Sequence, residues 1–217
     1  MGLFDTKYCT EEQLNRLGKY KYKLVMSCPF DTIIGEPIYD WSLQWVPIWM
    51  APNVLTILGF LAAFIRLLIL SYYDYTHEAN SYVGSPYAIP NWFWLFASFS
   101  AVLTAIFDGV DGKQARRIGA AGHVGEILDH TLDELSNLSL ISTLFAIFGR
   151  GEYGISPFRL LLILVCTNFA FIGSQWEKFN TGVFFVSWSY DFANYTFINA
   201  NHALLRRRTE DITCNSF

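Results

Sequence analysis

The sequence has few charged residues, and what it lacks excludes several classes of protein. Asp, Glu, Lys and Arg together make up 16% of the 217 residues, against roughly 25% in an ordinary soluble domain. Lys and Arg number 15 against 19 Asp and Glu, so no basic excess is available for binding nucleic acid through bulk charge. The cysteines are widely scattered and form no CxxC pair, which argues against a disulfide framework or a zinc site. They are Cys9, Cys28, Cys166 and Cys214.

The sequence is rich in long apolar segments. Hydrophobic residues make up 53% of the chain and aromatic residues 18%, more apolar surface than a water-soluble fold of 24.8 kDa can hide. A helix of about 20 apolar residues crosses the hydrocarbon core of a bilayer. Candidate spans occupy 54–73, 92–107, 135–148, 158–173 and, less clearly, 183–198. We therefore predict an all-α, polytopic membrane helix bundle with four to five transmembrane helices.

The segment before these spans is rich in tryptophan. Trp41, Trp45 and Trp49 recur every four residues within 36–52, a spacing that places the three rings along one side of a helix. Indole rings favour the interface between lipid and water. The pattern predicts an N-terminal interfacial amphipathic segment, and a buried aromatic face is the alternative.

Basic residues divide the chain into regions on opposite sides of the membrane. They occur in 1–50 and in 108–134, whereas 74–91 has none. The positive-inside rule therefore predicts that the first two regions face the cytosol and the third faces the lumen. We divide the chain into a cytosolic or interfacial segment over 1–50, a membrane domain over 51–199 and a divergent polar tail over 200–217.

Two acidic pairs stand where apolar spans end. Asp108 and Asp111 are three residues apart, and Asp129 and Asp133 are four apart, so each pair shares one face of a helix. Four converging carboxylates repel one another, and hard divalent cations with oxygen ligands relieve that repulsion. Two such ions about 4 Å apart stabilise the attacking and leaving oxygens of a phosphoryl transfer. Solvated helix ends, with a turn at Asp-Gly, are the alternative interpretation.

The residues between the acidic pairs suit a phosphate ligand. Gly112 and Ala115 carry little side-chain bulk, so a ligand can approach the helix backbone. Arg116 offers a planar, bidentate donor to a phosphate. Lys113 and Arg117 can contact phosphates too, or can anchor the chain at the membrane interface.

The two acidic runs together match the pattern D-x2-D-G-x2-A-R-x8-G-x3-D-x3-D, and on that basis the chain resembles the CDP-alcohol phosphotransferase family. GKYKY (18–22), WMAPNVLT (49–56) and GEILDH (125–130) resemble the eukaryotic choline/ethanolamine phosphotransferases. DGVDGKQARR and DHTLD are most similar to the ethanolamine branch. The resemblance covers roughly 10–195. It implies transfer of phosphoethanolamine from CDP-ethanolamine to diacylglycerol in the endoplasmic reticulum or Golgi membrane, at an active site that faces the cytosol.

The resemblance also implies a role for each motif residue. In the family the motif aspartates bind two Mg²⁺ or Mn²⁺ ions, and this set corresponds to Asp108, Asp111, Asp129 and Asp133. Asn53 and Arg116 would contact the CDP-alcohol, while Gly112 and Ala115 would line the nucleotide pocket. Glu126 would support the metal cluster from outside it.

The general base is left open between two residues. The resemblance implies His130 in the eukaryotic branch and Asp133 in others. An imidazole with an ordinary pKa near 6.5 is the better base at neutral pH, because a carboxylate bound to a cation is weakened.

Relatives in this family are longer, contain more membrane helices and form homodimers. We therefore expect this chain to correspond to the motif-bearing N-terminal half of a larger bundle, truncated at its C-terminus. Three alternatives stay open: a choline-specific or dual-specificity enzyme, a non-catalytic isoform that pairs with a full-length enzyme, and an ion transporter. The transporter is the least supported, because transport favours acids in the middle of the membrane rather than at its edge.

Overall fold

Five α-helices make up most of the described chain. The computed structural model describes 10–12, 24–25, 31–79, 89–148, 156–182, 184–185 and 196–203. The helices are α1 (Glu36–Leu43), α2 (Pro52–Tyr73), α3 (Asn91–Arg117), α4 (His123–Phe148) and α5 (Pro157–Thr181). A π-helical turn, Asp31–Gly35, precedes α1, and 196–203 is also helical. Two-residue strands, β1 (Leu24–Val25) and β2 (Phe184–Phe185), pair in parallel.

The prediction of an all-α membrane bundle is confirmed. Within the described ranges, α2, α3 and α5 are long and apolar enough to cross a membrane. The first half of α4 is acidic, and its apolar part begins at Leu135. The helices extend beyond the apolar runs that end at Phe107 and begin at Leu135, because α3 continues through the Asp-Gly residues to Arg117 and α4 begins at His123. Most of the predicted fifth span lies outside the described residues.

A short turn joins α3 to α4 and returns the chain at the same end of the bundle. The N–H of Ala120 donates to the carbonyl of Ala115 at 2.9 Å, and the N–H of Gly119 donates to that of Arg116 at 3.3 Å. This is the Schellman pattern, whose residue after the helix adopts a left-handed conformation that glycine tolerates best. Gly119 has φ of 69°. The turn therefore places the start of α4 beside the end of α3.

Side-chain contacts fix the register of α2 against its two neighbours. Thr56 contacts Asp111, and Ser100 donates to the carbonyl of Ala62 at 2.9 Å. Rising residue numbers on α2 thus meet falling numbers on α3, so the two helices are antiparallel.

The helices α2 and α4 run in the same direction. A Cβ added at Gly125 would lie 3.3 Å from Asn53 Oδ1, and Ser139 Oγ donates to the carbonyl of Ala63 at 2.7 Å. As a result, the N-termini of α2 and α4 and the C-terminus of α3 meet at one end, which we call the site end.

The apolar core lies toward the opposite end of the bundle. Leu70, Phe93 and Trp94 are fully buried there, and Phe197 of the 196–203 helix packs against them. By contrast, α5 exposes most of its large apolar side chains. Such a surface suits a helix that faces lipid, because apolar side chains in contact with lipid are not exposed to water.

The polar side of α3 holds the N-terminal segment at the site end. Lys113 pairs with Glu36 and Asp40 of α1. Two further side chains of α3 donate to backbone carbonyls at the end of α1 and in the segment after it. Gln114 Nε2 donates to Pro47 at 3.0 Å and Met50 at 3.1 Å, and Arg117 Nη1 to Leu43 at 3.2 Å and Val46 at 3.1 Å. Lys113 and Arg117 thus hold the N-terminal segment, a contact that neither of the two sequence interpretations included.

The three tryptophans stay exposed on the segment that these contacts hold. Trp41, Trp45 and Trp49 are 61%, 73% and 82% exposed. The alternative of a buried aromatic face is therefore wrong, and the exposed rings agree with an interfacial segment. The helix itself ends at Leu43, so the stripe continues beyond α1 onto the turn that leads to α2.

Replacing Gln114 by Leu should loosen the N-terminal segment. Leu has a similar volume but no donor, so the carbonyls of Pro47 and Met50 lose their partner. We expect the free energy of unfolding to fall by about 1–3 kcal/mol, measured by denaturant titration in mixed micelles. The control Gln44→Leu removes an exposed glutamine of the same segment and should change stability little. Equal effects of the two substitutions would contradict the proposed anchor.

Candidate active site

Three carboxyl groups converge at the site end, between α3 and α4. Asp108 and Asp111 come from the last turns of α3, and Asp129 comes from the second turn of α4. One carboxylate oxygen from each can be chosen so that all three lie within 4.8 Å of one another. Because Asp108 and Asp111 are three residues apart, their side chains lie on the same face of α3. The turn between α3 and α4 places Asp129 opposite them.

Asp133 lies one turn deeper than Asp129 on the same face of α4. Within the described ranges it is not part of the group of three carboxylates, but it borders the same cleft as Asp108 and Asp129. Thr104 and Ser136 line the cleft beside it. The cleft therefore runs from the carboxylate cluster into the bundle.

A threonine of α2 orients the central carboxylate. Thr56 Oγ1 donates a hydrogen bond to Oδ2 of Asp111, and both side chains are buried. Sequence reasoning missed Thr56 as a contributor to the site. Its place in WMAPNVLT (49–56), three residues after Asn53, was an available signal. A contact across 55 residues, however, cannot be read from local spacing.

The electrostatics of Asp129 fit a cation. Burial, followed by the neighbouring carboxyl groups of Asp133 and Asp111, raises the pKa of Asp129 to about 9. The Oδ1 atom of Asp129 is buried with no hydrogen-bond partner. A buried, unsatisfied oxygen among hard carboxylate donors is what a site for Mg²⁺ or Mn²⁺ requires, so these residues fit a divalent metal.

The predicted nucleotide-contacting residues lie around the cluster. Arg116 is exposed, and its Nη1 would lie 3.5 Å from a Cβ added at Gly112, so the guanidinium extends along the open side of α3. Ala115 is half-buried on the same helix. Asn53 packs against Gly125 at the start of α4. The structure thus groups all four predicted residues at the site end, close to the acids.

His130 occupies a different side of α4 and faces α5. The amide nitrogen of Gln175 lies 2.9 Å from its Nδ1, and the ring of Phe171 meets it edge-on at a centroid distance of 5.9 Å. Burial lowers the pKa of His130, so the imidazole is neutral at pH 7. His130 is not among the residues that line the cleft beside Asp133.

Glu126 also faces α5, one turn before His130. Its carboxylate forms an ion pair with Lys178, and both groups are largely buried. Because Phe171, Gln175 and Lys178 follow helical spacing, one face of α5 packs against Glu126 and His130 of α4. The sequence interpretation of Glu126 as a support for the metal cluster did not include this pair.

Comparison with known proteins identifies the family. The sequence profile of CDP-alcohol phosphatidyltransferases matches 49–190, the stretch that contains every residue of the cluster. The chain belongs to this family. The carboxylates at the site end lie within the matched stretch.

Individual relatives in the family are phosphotransferases. Ethanolaminephosphotransferase 1 of Homo sapiens is 38% identical over 88% of this chain. Cholinephosphotransferase 1 of Mus musculus is 31% identical over 79%, and choline/ethanolaminephosphotransferase 1 of Saccharomyces cerevisiae is 28% identical over 83%. The matches cover 47%, 40% and 43% of these relatives, so this chain spans about half of their length.

Breaking the Glu126–Lys178 pair should destabilise the α4–α5 contact of this family member. Lys178→Met leaves the Glu126 carboxylate without its cation, and we expect a loss of about 2–3 kcal/mol in the free energy of unfolding. The double variant Glu126→Gln, Lys178→Met should recover most of that loss. Denaturant titration of both single variants and the double variant measures the coupling. Additive losses would contradict a direct ion pair.

Proposed function

We propose that the chain contains the catalytic site of an ethanolaminephosphotransferase. It transfers phosphoethanolamine from CDP-ethanolamine to diacylglycerol and produces phosphatidylethanolamine and CMP. The observation that supports this most directly is the convergence of Asp108, Asp111 and Asp129 at the end of apolar helices, in a chain of this family. The distribution of basic residues favours a site on the cytosolic face of the endoplasmic reticulum or Golgi membrane.

The acidic cluster is proposed as the metal site. Asp108, Asp111, Asp129 and Asp133 would hold two Mg²⁺ or Mn²⁺ ions. When bound, such ions neutralise the charge on the diphosphate and stabilise the CMP leaving group. Thr56 keeps Asp111 aimed into the cluster, and the missing hydrogen-bond partner of Asp129 leaves its oxygen available for a ligand.

The nucleotide is proposed to lie along the open side of α3. Arg116 is exposed beside Gly112, so its planar fork can contact the phosphates while the small residue permits close approach. Ala115 is a second small residue on this side of α3. Asn53, at the start of α2, would contact the CDP-alcohol as well. These residues bind and orient the donor substrate from the aqueous side.

The reaction is an in-line displacement at phosphorus. The free hydroxyl oxygen of diacylglycerol attacks the phosphorus that carries ethanolamine, and the bond from that phosphorus to the CMP oxygen breaks. The hydroxyl proton passes to a base of the protein, and CMP leaves with the negative charge. No covalent enzyme intermediate is required, because positioning and charge stabilisation supply the catalysis.

Two candidate bases stay open: Asp133, which borders the cleft, and His130, which faces Gln175 of α5. To act as the base, His130 must reach the hydroxyl of the acceptor in the cleft. For this role its Nε2 must hold a lone pair, so the ring proton must be on Nδ1. An oxygen at the end of the Gln175 side chain would accept that proton, whereas an amide N–H would force the proton onto Nε2. The two ends of a glutamine amide exchange by rotation. Gln175 therefore controls which tautomer His130 adopts.

Loss of a cluster carboxylate should abolish the transfer. Asp111→Ala or Asp133→Ala should lower the release of CMP by about a thousandfold or more, measured in membranes with labelled CDP-ethanolamine, diacylglycerol and Mn²⁺ or Mg²⁺. EDTA should reproduce the loss in the unmodified chain. Glu177→Gln, which removes an exposed acid of α5, serves as the control. Substantial activity in either aspartate variant would refute the proposed metal ligands.

Substitution of Gln175 should separate the two candidate bases. Glu accepts hydrogen bonds but donates none when ionised, so Gln175→Glu should hold the proton on Nδ1 and keep kcat within about threefold. Gln175→Met removes the partner and should lower kcat about tenfold with little change in KM for either substrate. His130→Gln should lose more than either. Equal rates in all three variants would instead favour Asp133 as the base.

The headgroup is tested by competition. Similarity to a cholinephosphotransferase at 31% identity makes choline the second candidate. With CDP-ethanolamine and CDP-choline supplied together, the ethanolamine product should predominate. No product from either donor, with the chain present in the membrane, would favour the non-catalytic alternative, in which the chain pairs with a full-length enzyme.

A further inference from the structure

The helix α1 packs against the turn of α3 that carries the first two acids. The ring of Tyr39 contacts α3 at Gly109, between Asp108 and Asp111. A Cβ added at Gly109 would lie 2.6 Å from Cε1 of that ring and 2.7 Å from both Cδ1 and Cζ. The three distances are nearly equal, so the face of the ring rather than its edge meets the helix. Glycine permits this approach because it has no side chain at the contact.

Lys113, one turn after Gly109, adds ionic contacts to the same interface. Its ammonium group pairs with Glu36 and Asp40 of α1 and lies 5.8 Å from the centre of the Tyr39 ring. The helix α1 is therefore joined to α3 by an aromatic ring that lies on the backbone and by a cation between two carboxylates.

This interface lies behind the acidic cluster. Gly109 and Lys113 are each two residues from Asp111, and two residues turn a helix by about 200°. The side chain of Asp111 therefore points away from α1. It points toward α2, where Thr56 donates a hydrogen bond to it. As a result, α3 is held between α1 on one side and Thr56 on the other.

Repulsion within the cluster gives this support a consequence. Asp129 of α4 lies opposite Asp108 and Asp111, with one oxygen of each carboxylate within 4.8 Å of the others. Like charges at such distances push α3 away from α4. A binding site tolerates errors of only about 0.5 Å in the positions of its groups. The contact behind α3 therefore helps to decide whether the acids stay in a position to bind a cation.

We propose that α1 is a brace for the acidic cluster and that Tyr39 is a positioning residue, which acts through Gly109. This inference rests on the metal site of the proposed function. The ring sets the distance between α1 and α3, and α3 carries Asp108 and Asp111. The glycine is a requirement of that packing and not of the local backbone, because α3 is an ordinary helix there and alanine favours a helix more than glycine does.

Gly109→Ala tests the brace through metal binding. The new methyl group collides with the Tyr39 ring, so α1 or the turn that carries the acids must move. We expect the affinity for Mn²⁺ to fall about tenfold, measured by electron paramagnetic resonance of free Mn²⁺, with the chain in bilayer nanodiscs and without either substrate. Gly173→Ala is the matched control on α5, because within the described ranges no neighbouring atom lies within 4 Å of a Cβ added there. It should leave the affinity unchanged.

Substitution of the ring tests the same contact from the other side. Tyr39→Ala removes the support and should also lower the affinity for Mn²⁺ about tenfold, whereas Tyr39→Phe keeps the ring and should stay within about twofold of the unmodified chain. In the Tyr39→Ala background, Gly109→Ala meets no ring and should add less than about a twofold change.

A disulfide crosslink measures the displacement without a metal. With the native cysteines replaced by serine, Asp108→Cys and Asp129→Cys place two thiols in the cluster, on facing helices. Because a disulfide forms only over a narrow range of distances, adding Gly109→Ala should slow oxidative crosslinking about tenfold. Adding Gly173→Ala should leave the rate unchanged.

Three results would overturn the brace. They are an unchanged affinity for Mn²⁺ in Tyr39→Ala, losses that multiply in the Gly109→Ala, Tyr39→Ala double variant, and a crosslinking rate that Gly109→Ala does not alter. An unmodified chain that binds no Mn²⁺ would refute the proposed metal site alone, and the crosslinking rate would then decide the brace.

Discussion

Repulsion among carboxyl groups at the edge of the membrane is the constraint on which the site end depends. Asp108, Asp111 and Asp129 lie within a few ångströms of one another in surroundings that raise the pKa of Asp129. Such a cluster forms only if the packing of three helices holds the carboxylates together against their mutual repulsion. The Thr56 contact, the antiparallel α2–α3 register and the short turn at Gly119 supply that constraint. Stability elsewhere in the bundle therefore maintains a cluster that a cation or a proton must neutralise.

The helix α3 divides its polar residues between two tasks. Asp108, Asp111 and Arg116 belong to the site end, while Lys113 and Gln114 hold the N-terminal segment. Interleaving the two sets over less than three turns works because the helical repeat sends them to different sides. A single run in the sequence thus combines a chemical motif with a structural anchor.

The sequence predicted what depends on local pattern. Apolar length gave the membrane helices, and the three- and four-residue spacings gave the shared faces of the acids. Helix ends were less predictable, because Asp-Gly pairs in isolation favour turns whereas here packing keeps α3 helical to Arg117. Contacts between distant residues were beyond local reasoning, as with Thr56 and Asp111 or Gln175 and His130. The sequence places Arg66 as a charge within an apolar span, but its contacts with Ser100 and Ser139 could be found only from the three-dimensional arrangement.

The exposed tryptophans have a consequence for the depth of the carboxylates along the membrane normal. Indole rings favour the height where headgroups meet hydrocarbon, so we expect the exposed Trp41, Trp45 and Trp49 to lie there. Gln114 and Arg117 join their segment to the helix that carries Asp108 and Asp111. The depth of the three rings in the bilayer would therefore fix the depth of the carboxylates. A bilayer that thins or swells would shift both together, so the cluster would stay at the boundary between headgroups and hydrocarbon.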